Sequence, residues 1–157
     1  MLRFLKSMET GIQEIDDQHQ ELIARINKVI GMDDAGRTEK ETKETLDFLA
    51  QYVVKHFSTE DVYMNRCAYP MCYLHQDQHS GFVETFTELR NKFEKSGYSH
   101  ELATELNAFI VTWVVNHIAT SDANFGRYYL TTIGANPDDI TVDKLGGMNE
   151  KTDSSSG

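Results

Sequence analysis

Apolar residues recur along this chain in steps of three and four, the period of a helix, and not in the twos of a half-buried strand. His19, Leu22, Ile23, Ile26, Val29 and Ile30 share one stripe of a first segment, residues 16–30, for which Asp16 is the candidate N-cap. Residues 31–37, with Gly36 among them, read as a short loop. Thr38 and Glu41 have capping-box spacing and open a second segment that runs to about Arg66. Its stripe is Leu46, Leu49, Val53, His56 and Glu60, before Pro70 breaks the chain. A third segment follows Pro70 to about Lys95, with His75, His79, Phe82, Phe86, Leu89 and Phe93 in line and Gly97 as C-cap. The fourth starts after Ser99, a second N-cap candidate. Leu102, Leu106, Phe109, Trp113 and His117 continue down one face, followed by Asp122, Phe125 and Tyr129, and Gly134 ends the segment. Four amphipathic helices with short connections predict an all-α fold, an up-down-up-down four-helix bundle over residues 1–135. Residues 136–157 lose the period and read as a loose C-terminal tail.

Composition narrows the function. With 25 Asp plus Glu against 15 Lys plus Arg, the formal net charge of the 157 residues is -10. Such a surface repels phosphate backbones and anionic lipid, which argues against a nucleic-acid partner and against membrane attachment. The longest apolar stretch, residues 109–115 with Thr112 inside it, is far below the roughly 18 residues of a membrane span. Residues 1–11 lack the apolar run of a signal peptide, so a cytoplasmic location is expected. Cys67 and Cys72, five apart around Tyr69 and Pro70, read as two reduced thiols.

The chemistry lies in what interrupts the stripes. His19 sits in the first, His56 and Glu60 in the second, His75 and His79 in the third, and His117 with Asp122 in the fourth. Residues four apart on a helix share a face, so these side chains aim at or near the bundle interior. An unsatisfied buried polar group costs roughly 1–3 kcal/mol, and a domain has only about 5–15 kcal/mol in all. Metal coordination satisfies such groups together. Five imidazoles and two carboxylates exceed one tetrahedral zinc and suit two octahedral first-row ions with bridging carboxylates. Iron comes first on ligand type, with manganese and zinc left open. Asp122 is the weak member, because five residues on a regular helix turn the side chain by about 140°. His100, at the start of the fourth segment, reads as a surface residue.

Taken together, the sequence resembles the hemerythrins, and within them the single-domain bacterial ones. The resemblance rests on Gly11 with Ile15-Asp16-Asp17-Gln18-His19, on His56-Phe57-Ser58-Thr59-Glu60-Asp61 with Met64, on Tyr69-Pro70 with His75, His79 and Phe82, and on Trp113-Val114-Val115-Asn116-His117 with Asp122. It implies two iron ions with an oxo or hydroxo bridge. One iron would take His75, His79 and His117 and be full. The other would take His19 and His56 and keep an open position for dioxygen, with Glu60 and Asp122 bridging. Two departures stand out. Phe4 is the nearest aromatic to a Trp frequent near the family's N-terminus, and Asp61 stands where a second Glu is frequent.

The expected function is therefore reversible dioxygen binding, for storage, delivery or sensing, by a protein that is not an enzyme. An imidazole-rich centre of low negative charge favours binding over oxygen activation. Ile23, Val53, Phe57, Phe82 and Trp113 are candidate walls that exclude water. A signalling domain would need far more chain, so a sensor would act through a separate protein partner. The alternatives are a di-iron enzyme that handles nitric oxide or peroxide or repairs iron–sulfur centres, and a metal-buffering bundle.

Overall fold

The computed structural model describes residues 2–30 and 38–133, without the side chains of residues 29 and 30. The expected 31–37 loop and the 136–157 tail lie outside the described residues. Among the described residues, five α-helices make four rods: α1 (Gln13–Ile30), α2 (Glu39–Arg66), α3 (Cys72–Ser96), and α4 (His100–His117), which continues through a π turn (Ile118–Asp122) into α5 (Ala123–Ile133). No strand occurs among the described residues. α1 packs on α2 and α4, α2 on α3, and α3 on α4, which closes the four-helix bundle.

The ends follow local chemistry. Thr38 caps α2: its hydroxyl accepts from the Glu41 N–H at 3.3 Å, and the Glu41 carboxylate accepts from the Thr38 N–H at 2.8 Å. The Ser99 hydroxyl accepts from the Leu102 N–H at 3.1 Å and starts α4. Gly97, at φ 72°, ends α3 with its N–H on the Phe93 carbonyl. Asp16 departs from expectation. Helix α1 begins three residues earlier, at Gln13, and Asp16 caps it from inside the first turns. Its carboxylate reaches back to accept from the Thr10 N–H (2.8 Å), the Thr10 hydroxyl (2.9 Å) and the Gly11 N–H (3.0 Å).

The core comes in two parts. One holds Leu22, Ile26, Leu46, Leu49, Val53, Phe82, Phe86, Leu89, Leu106, Ile110 and Val114. The other holds Ile12, Ile15, Tyr63, Met64, Cys67, Phe125 and Tyr129. Along α1, α2 and the fourth rod the expected polar residues fall between the two sets, and on α3 His75 and His79 precede Phe82. The fourth rod faces differently from expectation: Ile110 and Val114 are buried, while Phe109 and Trp113 are half-buried at its edge. With residues 109–111 and 113–115 all apolar, this helix offers no single stripe for burial to choose.

The N-terminal segment crosses this scaffold closely. A Cβ on Gly126 would run into the Thr10 carbonyl and Cα. Because backbone lies opposite, the contact cannot be relieved by a rotamer change. Gly126→Ala is expected to cost about 1–3 kcal/mol, typical of overpacking, read as a lower urea midpoint with unchanged slope.

Candidate metal centre

All seven interrupting side chains meet in one layer between the two apolar cores. Each is buried, at 5% exposure or less. His56 and Glu60 come from consecutive turns of α2, and His75 and His79 from consecutive turns of α3. Asp122 reaches the layer through the π turn. There the Ala123 N–H bonds to the Ile118 carbonyl five residues back, so the wider turn brings residue 122 to the face of residue 117. This removes the 140° objection to Asp122. His100 is exposed, as expected.

Each carboxylate divides its two oxygens between two groups of imidazoles. Glu60 Oε2 lies 3.2 Å from His75 Nε2 and 3.0 Å from His79 Nε2, while Oε1 faces His56 Nε2 at 3.7 Å. Asp122 Oδ1 lies 3.3 Å from His75 Nε2 and 2.9 Å from His117 Nε2, while Oδ2 faces His19 Nε2 at 3.0 Å. Donor atoms of Glu60, His75, His79, His117 and Asp122 lie within 4.8 Å of one another, as do those of His19, His56, Glu60 and Asp122. The two sets share only the carboxylates.

Only part of this proximity is hydrogen bonding, as between His75 Nε2 and Glu60 Oε2 at 3.2 Å. His19 Nδ1 and Nε2, Glu60 Oε1 and both Asp122 oxygens are buried without a well-directed hydrogen-bond partner. Nε2 atoms of His79 and His117 face each other at 3.0 Å. Atoms that converge without pairing fit a cation held between them, and imidazole with carboxylate is a donor set for first-row transition metals.

Electrostatics point the same way. Burial and Asp122 oppose ionisation of Glu60, but the imidazoles around it prevail and hold its carboxyl at about 2. Burial opposes ionisation of Asp122 too, yet His117, His19 and His75 hold it well below the usual carboxylate range. Burial pushes His75 down, but its bonds to Asp122 and Glu60 outweigh this and lift the ring to about 9. The same contest lifts His19. At His56 burial wins and lowers the ring to about 4, and it lowers His79 as well. Two fixed anions thus draw positive charge into a dry layer, as protons or as a cation.

Each ring rests on an aromatic neighbour. Phe57 stacks on His79 (centroids 3.7 Å), Trp113 on His117 (4.2 Å) and Tyr52 on His56 (5.5 Å). Phe125 meets His75 edge-on at 6.2 Å, and Phe4 tilts against His19 at 6.1 Å. Phe4 therefore supplies the aromatic contact at the N-terminal end. Asp61 lies half-buried beside the layer and accepts from Gln76 Nε2 at 2.8 Å.

A small cavity lies alongside, walled by Leu22, Leu49, Tyr52, Val53, Phe57, Phe82, Trp113, Val114 and Ile118 and by His56, His117 and Asp122 of the layer. Four of the five expected wall residues are there, whereas Ile23 is buried elsewhere. Its free volume of ≈ 10 Å³ holds the centre of about one water-sized molecule. Sequence reading missed Tyr52, whose hydroxyl donates to the Gln18 carbonyl at 2.5 Å, and Gln18, whose side chain meets His56 and Thr59.

Residues 10–129 match the family described as the hemerythrin HHE cation binding domain. The chain belongs to the hemerythrin family. It is similar to the bacteriohemerythrin of Pseudomonas aeruginosa, at 28% identity over 118 residues covering 75% of this chain and 74% of that one. With the bacteriohemerythrin of Methylococcus capsulatus it shares 30% over 117 residues, covering 74% and 87%. The crystal structure of wild-type hemerythrin superposes with a TM-score of 0.69 at 27% identity, covering 82% of this chain and 98% of that one. No described helix of this hemerythrin is long and apolar enough to cross a membrane.

A cation that binds only the folded layer stabilises it by mass action. A free concentration 100 times the Kd should add about 2.7 kcal/mol to unfolding, read by thermal unfolding with and without chelator. Deleting the exposed Ala119 would take the extra residue out of the π turn and leave Asp122 four positions after His117, the spacing at which a regular helix keeps both on one face. This variant should keep both its helical circular dichroism and its metal retention, read by metal analysis.

Proposed function

We propose that the chain binds dioxygen reversibly at a non-haem di-iron centre held by His19, His56, Glu60, His75, His79, His117 and Asp122. The observation that carries this reading is the division of each carboxylate between a three-imidazole and a two-imidazole group. With one shared oxo or hydroxo bridge, the first group supplies six donors and the second five. A first-row ion in the second group then keeps one position for a small ligand. Iron there supplies the electrons and the open position that dioxygen requires.

The chain's own residues do the rest. The cavity beside His56 and His117 is small, with room for about one water-sized molecule, and aliphatic and aromatic side chains form most of its wall. Apart from the layer's own groups, Tyr52 carries the only hydroxyl among the residues named in that wall, and that proton is committed to the Gln18 carbonyl. The wall therefore leaves little room for water and offers no free hydroxyl, conditions that favour a bound ligand leaving unchanged.

This is a binding protein of the hemerythrin kind rather than an enzyme, serving oxygen storage, delivery or sensing. Thiol-dependent peroxide or nitric-oxide chemistry finds no support at the cysteines. Burial pushes both the Cys67 and the Cys72 thiol up, away from the reactive thiolate.

Metal analysis with optical spectra tests the reading. The expected result is two irons per chain and a visible band that appears with oxygen and vanishes on its removal. One iron, or irreversible bleaching, would sink it. Val53→Thr conserves shape but adds a hydroxyl to the wall. It should speed autoxidation several-fold at unchanged iron content.

A further inference from the structure

A buried histidine presents a lone pair or a proton at one nitrogen according to what its other nitrogen does. Nδ1 of His56 lies 2.8 Å from Gln18 Oε1. The amide by itself leaves the tautomer open, because its donor and acceptor exchange on a half-turn. Thr59 removes the ambiguity. Its hydroxyl has one proton and donates it to the Lys55 carbonyl at 2.9 Å. Toward Gln18 its oxygen therefore accepts, and Gln18 Nε2 donates to it at 3.1 Å. Gln18 Oε1 must then face His56, which donates from Nδ1 and turns the Nε2 lone pair to the layer. The flipped amide would place a proton on His56 Nε2. Glu60 Oε1 opposite is 3.7 Å away, too far to accept it. Tyr52 holds Gln18 in place through its main-chain carbonyl, and Gln18 is buried.

We propose that Thr59 and Gln18 are positioning residues that fix His56 as its Nδ1–H tautomer and so keep Nε2 free to ligate. The inference rests on the proposed function for His56 being a metal ligand; the relay of donors belongs to the chain itself. Thr59 lies half-buried on α2, and its hydroxyl, bonded to the Lys55 carbonyl, connects to His56 through Gln18.

Ring nitrogen-15 NMR of the full-length, metal-free chain at neutral pH reads the tautomer directly. The expected result is a proton on His56 Nδ1 in the wild type and in Thr59→Ser. Thr59→Val removes the acceptor at the same size, frees the amide to turn, and should populate the Nε2–H form. Zinc(II), titrated as probe, should then bind at least 10-fold more weakly to this variant, at the low end of the 10–100-fold loss typical of a supporting group. Gln18→Glu offers only acceptors, so adding it to Thr59→Val should restore Nδ1–H, an effect that general loosening of α2 would not produce. A wild-type His56 protonated on Nε2 would overturn the proposal whether or not any variant folds. So would a folded Thr59→Val chain with an unchanged tautomer. A chain with the expected tautomers that takes up no oxygen would support this inference and fail the proposed function.

Discussion

Two carboxylates buried among five imidazoles are the constraint on which this structure turns. Glu60 and Asp122 are fully enclosed and remain ionised, so the interior must supply positive charge where it has no water to screen it. Everything nearby answers that demand. The apolar core divides to give the polar layer room, and an aromatic ring backs each imidazole so that its nitrogen points inward. The same closure keeps free hydroxyls out of the adjacent cavity. Stability and ligand chemistry are here one arrangement, since the groups most costly to bury are the ones that converge on a cation.

The π turn shows how far the fold bends to meet that demand. A regular helix through residues 117–122 would aim Asp122 away from His117. One extra residue in the turn puts both on the layer and lets α5 continue, so that Phe125 and Tyr129 complete the second core. The widened turn is tolerated because it is bracketed by buried Ile118 and Ala123, while Ala119 and Thr120 face solvent. Such insertions gather at functional sites because they re-aim a side chain without ending the helix.

Much of this was legible in the chain. Apolar steps of three and four, interrupted at one level on every helix, place the layer before any coordinates exist. The capping residues Thr38, Ser99 and Gly97 mark boundaries because their signals are local and chemical. The failures share a cause, in that local pattern is silent on tertiary choices. Asp16 looked like an N-cap because it precedes the stripe, but its carboxylate is drawn back to Thr10 and Gly11 by a chain path the pattern does not encode. α4 is apolar at every position from 109 to 115 except Thr112, so the facing of this stretch is decided by its neighbours, and Ile110 and Val114 take the interior expected of Phe109 and Trp113. The π turn leaves no trace in composition.

Gln18 and Thr59 belong to a subtler class. Glutamine before a stripe histidine and threonine on the flank of a helix are unremarkable in sequence, because both are polar residues that ordinarily face water. Their significance appears only when donors and acceptors are counted in space. One hydroxyl proton, spent on the Lys55 carbonyl, orders an amide, and the ordered amide orders an imidazole. His19 shows the contrast. Its Nδ1 is buried without a hydrogen-bond partner, and packing against Phe4 and His56 holds the ring instead. The two-imidazole end thus combines one ring fixed by hydrogen bonds with one fixed by contact. Of the two, only the ring fixed by hydrogen bonds has its free lone pair dictated by the chain. For His19 the tautomer is left to whatever sits between Nε2 and Asp122. A cation there would demand the lone pair, so in the chain's own terms His19 follows the metal while His56 awaits it.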